Sequence, residues 1–151
     1  MTSSIKSLRR GFIDRLVGFH VRLAQLDLFA AFAEAVGDPT FTPLLAGALY
    51  LIDENPAANQ SDLATLLVTD PSTMVRLIDQ LVKRGLVVRQ TAEHDRRNTV
   101  PRTTPAGRAL IARISPGVVA SEARVLGAAL TASERKTLLA LLQRVTEKRA
   151  G

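Results

Sequence analysis

The 151-residue chain predicts a mainly α-helical fold carrying one small β-hairpin. Three observations predict it. Helix formers dominate, and aromatic residues make up only 4% of the chain. Cap-and-proline starts recur at Thr42-Pro43, Asp70-Pro71 and Thr104-Pro105, each ahead of an apolar run with helical spacing. One stretch alone, LVVRQT followed by TVPRTT, is short and β-branched enough to form paired strands.

From Phe12 the apolar residues Phe12, Leu16, Phe19, Leu23, Leu26, Ala30 and Ala33 alternate in steps of four and three. That spacing draws a heptad-like seam along one long helix, ended by Gly37, Asp38 and Pro39. Such a seam needs a partner, either elsewhere in the chain or in a second subunit. A second helix runs from Pro43 to the stop at Asn55-Pro56. A short third helix follows the cap at Asn59, with Leu63, Leu66 and Leu67 as its expected buried face. The fourth starts at Asp70-Pro71 and ends at Gly85. Its Met74, Leu77, Ile78 and Leu81 fall on one face, so Ser72, Thr73, Arg76, Asp79, Gln80 and Lys83 fall on the other.

The strands LVVRQT (86–91) and TVPRTT (99–104) leave AEHDRRN as the turn between them. Pro101 cannot donate to a strand ladder and belongs on an edge or at a bulge, so the second strand is expected to be short or bulged there. Thr104-Pro105 opens a helix that Pro116-Gly117 should kink or split. The last helix carries a capping box, Thr131 and Glu134, and is expected to bury Leu138, Leu141, Leu142 and Val145.

Helix, helix, short helix, capped helix and hairpin is the order of a winged helix-turn-helix. In that arrangement the fourth helix lies in a DNA major groove while the third braces it. Its outward side chains suit the task. Ser72 and Thr73 reach phosphate or base edges, Arg76 pairs with guanine, Gln80 reads adenine and Lys83 meets phosphate. Arg96 and Arg97 on the hairpin reach the neighbouring backbone or minor groove. Asp95 holds a wing arginine in place, Asn98 and Thr99 close the turn, and His94 faces solvent or phosphate. Net charge supports an anionic partner. The chain carries +6. Between residues 76 and 102 seven basic residues oppose three acidic ones, 7 − 3 = +4.

Other classes are poorly served. The absence of cysteine excludes disulfides and thiol-ligated metals. His20 and His94 sit in different elements with no metal-ligand spacing, and no nucleophile elbow or phosphate loop occurs, so neither catalysis nor a cofactor is expected. No signal peptide or membrane-spanning run is read, so no membrane partner is expected and the expected setting is the cytoplasm. Two alternatives use the same residues differently. One is an architectural DNA-binding protein without an effector, and the other is a helical protein-interaction module built on the first helix.

The segments NQSDLATLL, DPSTMVRLIDQLVKRGLVVR, HDRRNTV and TTPAGRAL, in that order, resemble the MarR family of bacterial transcriptional regulators over roughly residues 12–149. Asp95-Arg96-Arg97 matches the family's wing motif, and Thr104-Pro105-Ala106-Gly107 matches the Thr-x-x-Gly that begins the next helix. The resemblance implies a homodimer on double-stranded DNA, with residues 1–38 and 105–151 forming a helical dimerisation region and 39–104 the DNA-binding lobe. It also implies repression relieved by a small effector at the junction of the two, an aromatic carboxylate or its coenzyme A thioester. His20, Arg22, Phe41 and Tyr50 are the candidates to line that pocket, with core packing as the alternative for Phe41 and Tyr50.

Overall fold

The computed structural model describes residues 8–92 and 95–147, and at residues 92 and 95–98 the backbone only. A 3-10 turn at Gly11–Arg15 leads into α1 (Val17–Val36), followed by α2 (Pro43–Glu54), α3 (Gln60–Leu67), α4 (Pro71–Lys83), β1 (Val87–Ala92), β2 (Asp95–Thr103), α5 (Pro105–Gly127) and α6 (Ala132–Thr146).

Most helix starts follow local chemistry. Thr42, Asn59, Asp70, Thr104 and Thr131 each accept a backbone N–H of the first turn with the side chain. The α1 start does not. The 3-10 turn holds Phe12, and Leu16 is the extended N-cap, so the continuous helix expected from Phe12 begins only at Val17. The residues of α1 that reach the core are Ala31, Phe32 and Val36, off the seam. Leu26, Ala30 and Ala33 of the seam stay exposed.

The core gathers Leu45, Leu49 and Ile52 of α2, Leu63 of α3, Met74, Ile78 and Leu81 of α4, Val87 of β1 and Ile114 of α5. Phe32 and Val36 of α1 close it from one side. Met74, Leu77, Ile78 and Leu81 are all buried, as the spacing on α4 requires. On α3 the expected face is turned. Leu63 and Ala64 are buried, while Leu66 is exposed and Leu67 half-buried. Eight residues make barely two turns, so packing against α2 and α4 sets the rotation and side-chain size does not.

The two strands pair antiparallel from Val87 opposite Thr103 to Thr91 opposite Thr99. Pro101 takes an edge position in β2 without the bulge that is the other expectation. Pro101 sits opposite Arg89 in an unbroken register and is fully buried. A two-stranded ribbon consists of edges only, so a missing N–H is tolerated where it points away from the partner. The register shift lies instead between Thr91 and Ala92, where Asp95 to Thr99 of β2 faces only Ala92 and Thr91. The expected seven-residue turn is thereby shortened: Asp95, Arg96, Arg97 and Asn98 have strand backbone. Their side chains, and His94, lie outside the described residues.

Pro116 lies inside α5 without splitting it. A proline in a helix interior costs about 3 kcal/mol. Here α5 is held along α1, with Ile114 buried on one side of the proline and Gly117 against Ala35 on the other. Ser115 also donates its hydroxyl to the Ile111 carbonyl at 2.7 Å.

A glycine at position 107 is required by packing. A Cβ there would lie 2.2 Å from the Leu86 carbonyl oxygen and 2.7 Å from Thr103 Cγ2. Thr104 completes the joint, donating its N–H to the Leu86 carbonyl (3.0 Å) and its hydroxyl to the Gly85 carbonyl (2.6 Å). Gly85 itself has φ 70°, the left-handed conformation that ends α4 and turns the chain into β1. The Thr-x-x-Gly segment thus clamps the start of α5 onto the link between α4 and the hairpin.

α6 also departs from expectation. None of its residues is buried, and Leu141, Leu142 and Val145 are exposed. With Phe12, Leu16 and Val17 also exposed, large apolar faces around the 3-10 turn and on α6 are left uncovered among the described residues.

Candidate nucleic-acid interface

The helix-turn-helix consists of α3, a turn through Val68 and Thr69, and α4. Val68 holds the turn in the left-handed region, with φ 53° and ψ 50°, although it is β-branched and exposed. The buried stripe of α4 packs on α2 and α3, which leaves its opposite side facing solvent.

That side begins with a compact hydrogen-bond cluster. Asp70 Oδ1 accepts from the Thr73 N–H at 2.8 Å and from the Ser72 hydroxyl at 2.5 Å. Asp70 Oδ2 accepts from the Thr73 hydroxyl at 2.6 Å. Arg76 Nη2 in turn donates to Thr73 Oγ1 at 2.9 Å. The Ser72 hydroxyl, then the Thr73 hydroxyl and N–H, hold the Asp70 carboxyl well below the usual carboxylate range. Ser72, Thr73 and Arg76 are therefore brought together on one surface. Gln80 and Lys83 follow farther along the same helix, both exposed.

The other basic residues of this region are divided between structure and solvent. Arg89 of β1 donates to Asp79 of α4 at 2.6 Å, bracing the hairpin against the helix. Arg84, at the end of α4, reaches back to the α1–α2 connection. It donates to Asp38 Oδ2 (3.0 Å), the Thr40 carbonyl (3.2 Å) and Thr40 Oγ1 (2.7 Å), and stacks over Phe41 at 5.7 Å. The Thr40 hydroxyl and N–H, then Arg84, lower the Asp38 carboxyl from 3.8 to about 2. Local charge counting treats Arg84 and Arg89 as part of a basic surface, but both are committed to acidic partners. Their partners are 46 and 10 residues away, on other elements, so no spacing in the sequence announces them.

The four candidate effector residues are dispersed. His20 is exposed on α1 and hydrogen-bonds the Asp14 carbonyl at 2.8 Å. It lines a groove of about 770 Å³ between α1, α5 and α6, together with Val21, Phe29, Leu126, Arg135 and Leu139. Arg22 is exposed on α1 and does not line that groove. Phe41 is buried in the core beneath Arg84. Tyr50 is half-buried and lies 3.0 Å from Ser115 Oγ. Because Ser115 spends its proton on Ile111, Tyr50 is the donor of that pair. Among the described residues no group of three or more His, Asp or Glu side chains is placed to hold a metal ion, and no helix is long and apolar enough to cross a membrane.

Comparison with known proteins accords with this geometry. The model of the MarR family matches residues 41–99, from Phe41 into the second strand of the hairpin. A putative transcriptional regulatory protein for the hcr operon of Thauera aromatica is 36% identical over 144 residues, covering 95% of this chain and 86% of the relative. The transcriptional repressor CouR bound to a 23-mer DNA duplex superposes with a TM-score of 0.83 at 33% identity, covering 92% of this chain and 98% of that one. The same repressor bound to p-coumaroyl-CoA gives a TM-score of 0.81 at 32% identity, covering 92% and 97%.

Proposed function

The chain belongs to the MarR family of transcriptional regulators, and from that premise we propose that it is a ligand-responsive repressor acting in the cytoplasm as a homodimer on a pseudo-palindromic operator. The observation that carries this reading is the division of α4. One face is wholly core, and the other presents Ser72, Thr73, Arg76, Gln80 and Lys83 to solvent.

In the proposed complex α4 enters the major groove. Arg76 reads guanine, Gln80 supports base reading, and Lys83 neutralises phosphate. Arg96 and Arg97 of β2 engage the adjacent backbone or minor groove, with Asp95 and Asn98 ordering the tip. Residues 39–104 form the DNA-binding lobe. Residues 1–38 and 105–151 form the dimerisation region, which accounts for the apolar faces left open on α6 and around the 3-10 turn. The two recognition helices must then match half-sites about one helical turn apart. An effector changes that spacing and so releases DNA.

The proposed effector is an aromatic carboxylate or its coenzyme A thioester, by analogy with the repressor that is bound to p-coumaroyl-CoA. His20, on the open groove, is the candidate to meet such a ligand, with Arg22 nearby on α1. Tyr50 would act from the lobe side through its hydroxyl, whereas Phe41, buried in the core beneath Arg84, serves packing. The role needs no catalytic step.

The test is titration of the purified protein with the duplex upstream of its own gene, against a random duplex, across a salt series. The expected result is preferential binding as a dimer with a steep salt slope. Arg97→Ala should weaken binding to every duplex, while Arg76→Ala should relax the preference between operator variants. Binding without preference would move the reading to an architectural DNA-binding protein, and no binding at low salt would remove it.

A further inference from the structure

The hydrogen-bond cluster at the start of α4 has a polarity. A hydroxyl carries one proton and two lone pairs. The proton of Ser72 goes to Asp70 Oδ1 and that of Thr73 to Asp70 Oδ2. Both hydroxyls therefore turn only lone pairs outward. Thr73 spends one of its lone pairs on Arg76 Nη2, which fixes one edge of that guanidinium; its other donors have no hydrogen-bond partner among the described residues.

Phosphate oxygens accept hydrogen bonds and carry negative charge. A hydroxyl whose proton is already held offers them nothing, and the Asp70 carboxylate beside it repels them. In the major groove a lone pair finds its match at the exocyclic amino groups, adenine N6 and cytosine N4. We propose that Asp70 is a specificity-determining positioning residue: by holding the protons of Ser72 and Thr73 it turns the start of α4 from a phosphate clamp into a reader of amino bases, favouring adenine or cytosine over thymine or guanine on the contacted strand. This inference rests on α4 being the helix that enters the groove.

Asp70→Asn separates this role from simple helix capping. The amide oxygen still accepts the Thr73 N–H, so the cap survives. The amide nitrogen is a donor, so at least one hydroxyl proton is released and a negative charge is lost. Wild type, Asp70→Asn and Ser72→Ala would each be used to select sites from duplexes with a randomised core of about two helical turns. Binding of the selected and unselected duplexes would then be measured across a salt series.

Wild type should select half-sites with an amino-base preference at the positions facing the start of α4. Asp70→Asn should bind unselected duplex several-fold more tightly, steepen the salt slope by about one, and lose about tenfold in preference. Ser72→Ala should lose the amino-base preference at the position Ser72 faces while Thr73 keeps its own, with the salt slope unchanged, and it keeps the test intact if the Asp70 variant folds poorly. Identical selected half-sites in all three proteins would overturn the proposal. So would a parallel loss of affinity for all duplexes in Asp70→Asn, which is what a cap alone produces. If wild type itself selects no consensus, α4 is not a reading helix, and both this inference and that assignment fail.

Discussion

Replacing Gly107 by alanine adds a single methyl group at the joint between α5 and the end of α4. The new Cβ would sit 2.2 Å from the Leu86 carbonyl oxygen, roughly 1 Å inside ordinary van der Waals contact. It would also sit 2.7 Å from Thr103 Cγ2. The carbonyl cannot simply retreat, because it accepts the Thr104 N–H at 3.0 Å, and Thr104 is the cap of the same helix. Overpacking of this kind costs about 1–3 kcal/mol, and weakening the Thr104 hydrogen bond adds about 1 kcal/mol. Alanine's better helix propensity returns about 1 kcal/mol. With so close an approach the upper half of the range applies, a net loss of about 2–3 kcal/mol. The assay is urea unfolding followed by circular dichroism at one fixed protein concentration, since association contributes to apparent stability. Thermal midpoints should fall by about 4–12 °C. Gly117→Ala, on the same helix with its nearest neighbours at 3.7 and 3.8 Å, is the control and should be neutral or slightly stabilising. A Gly107→Ala protein as stable as wild type would refute the reasoning, because it would mean that α5 can shift off Leu86 at no cost.

Two further outcomes follow from the same geometry. Val68 holds a left-handed conformation that costs a β-branched residue about 1–2 kcal/mol, so Val68→Asn should raise stability by about 0.5–1 kcal/mol; a lower urea midpoint would show that the valine makes a compensating contact. The lowered Asp38 carboxyl predicts a pH dependence with a definite sign. A depressed folded-state value contributes stability that is complete above the unfolded carboxylate value, about 3.9, and is lost as the pH falls through about 2. The stability gap between wild type and Asp38→Asn should therefore be largest above about pH 4 and shrink towards pH 2, and a gap independent of pH would show that the Thr40 and Arg84 contacts do not act through the charge.

Helix starts were legible because capping is local. Thr42, Asn59, Asp70, Thr104 and Thr131 each satisfy donors within three residues of themselves, so side-chain identity alone announces them. The buried stripe of α4 was legible because thirteen residues give the helical period room to show. α3 has eight residues, and there the choice between Leu66 and Ala64 was made by the neighbours. The exposed leucines of α6 show the opposite limit. Their spacing correctly marks an apolar face, but no residue of the described protomer covers it.

By itself, then, the sequence determined the mainly helical class, the helix-turn-helix with its hairpin, the caps, and which side of α4 is free. All of these depend on chemistry between residues close along the chain. Only the tertiary structure decided that Pro116 would be carried inside a continuous helix, that Pro101 would be buried in the hairpin, and that Arg84 and Arg89 would be tied to Asp38 and Asp79. Each of these outcomes turns on a neighbour supplied by another element, whose contact free energy outweighs the local preference and leaves no periodic trace in the sequence.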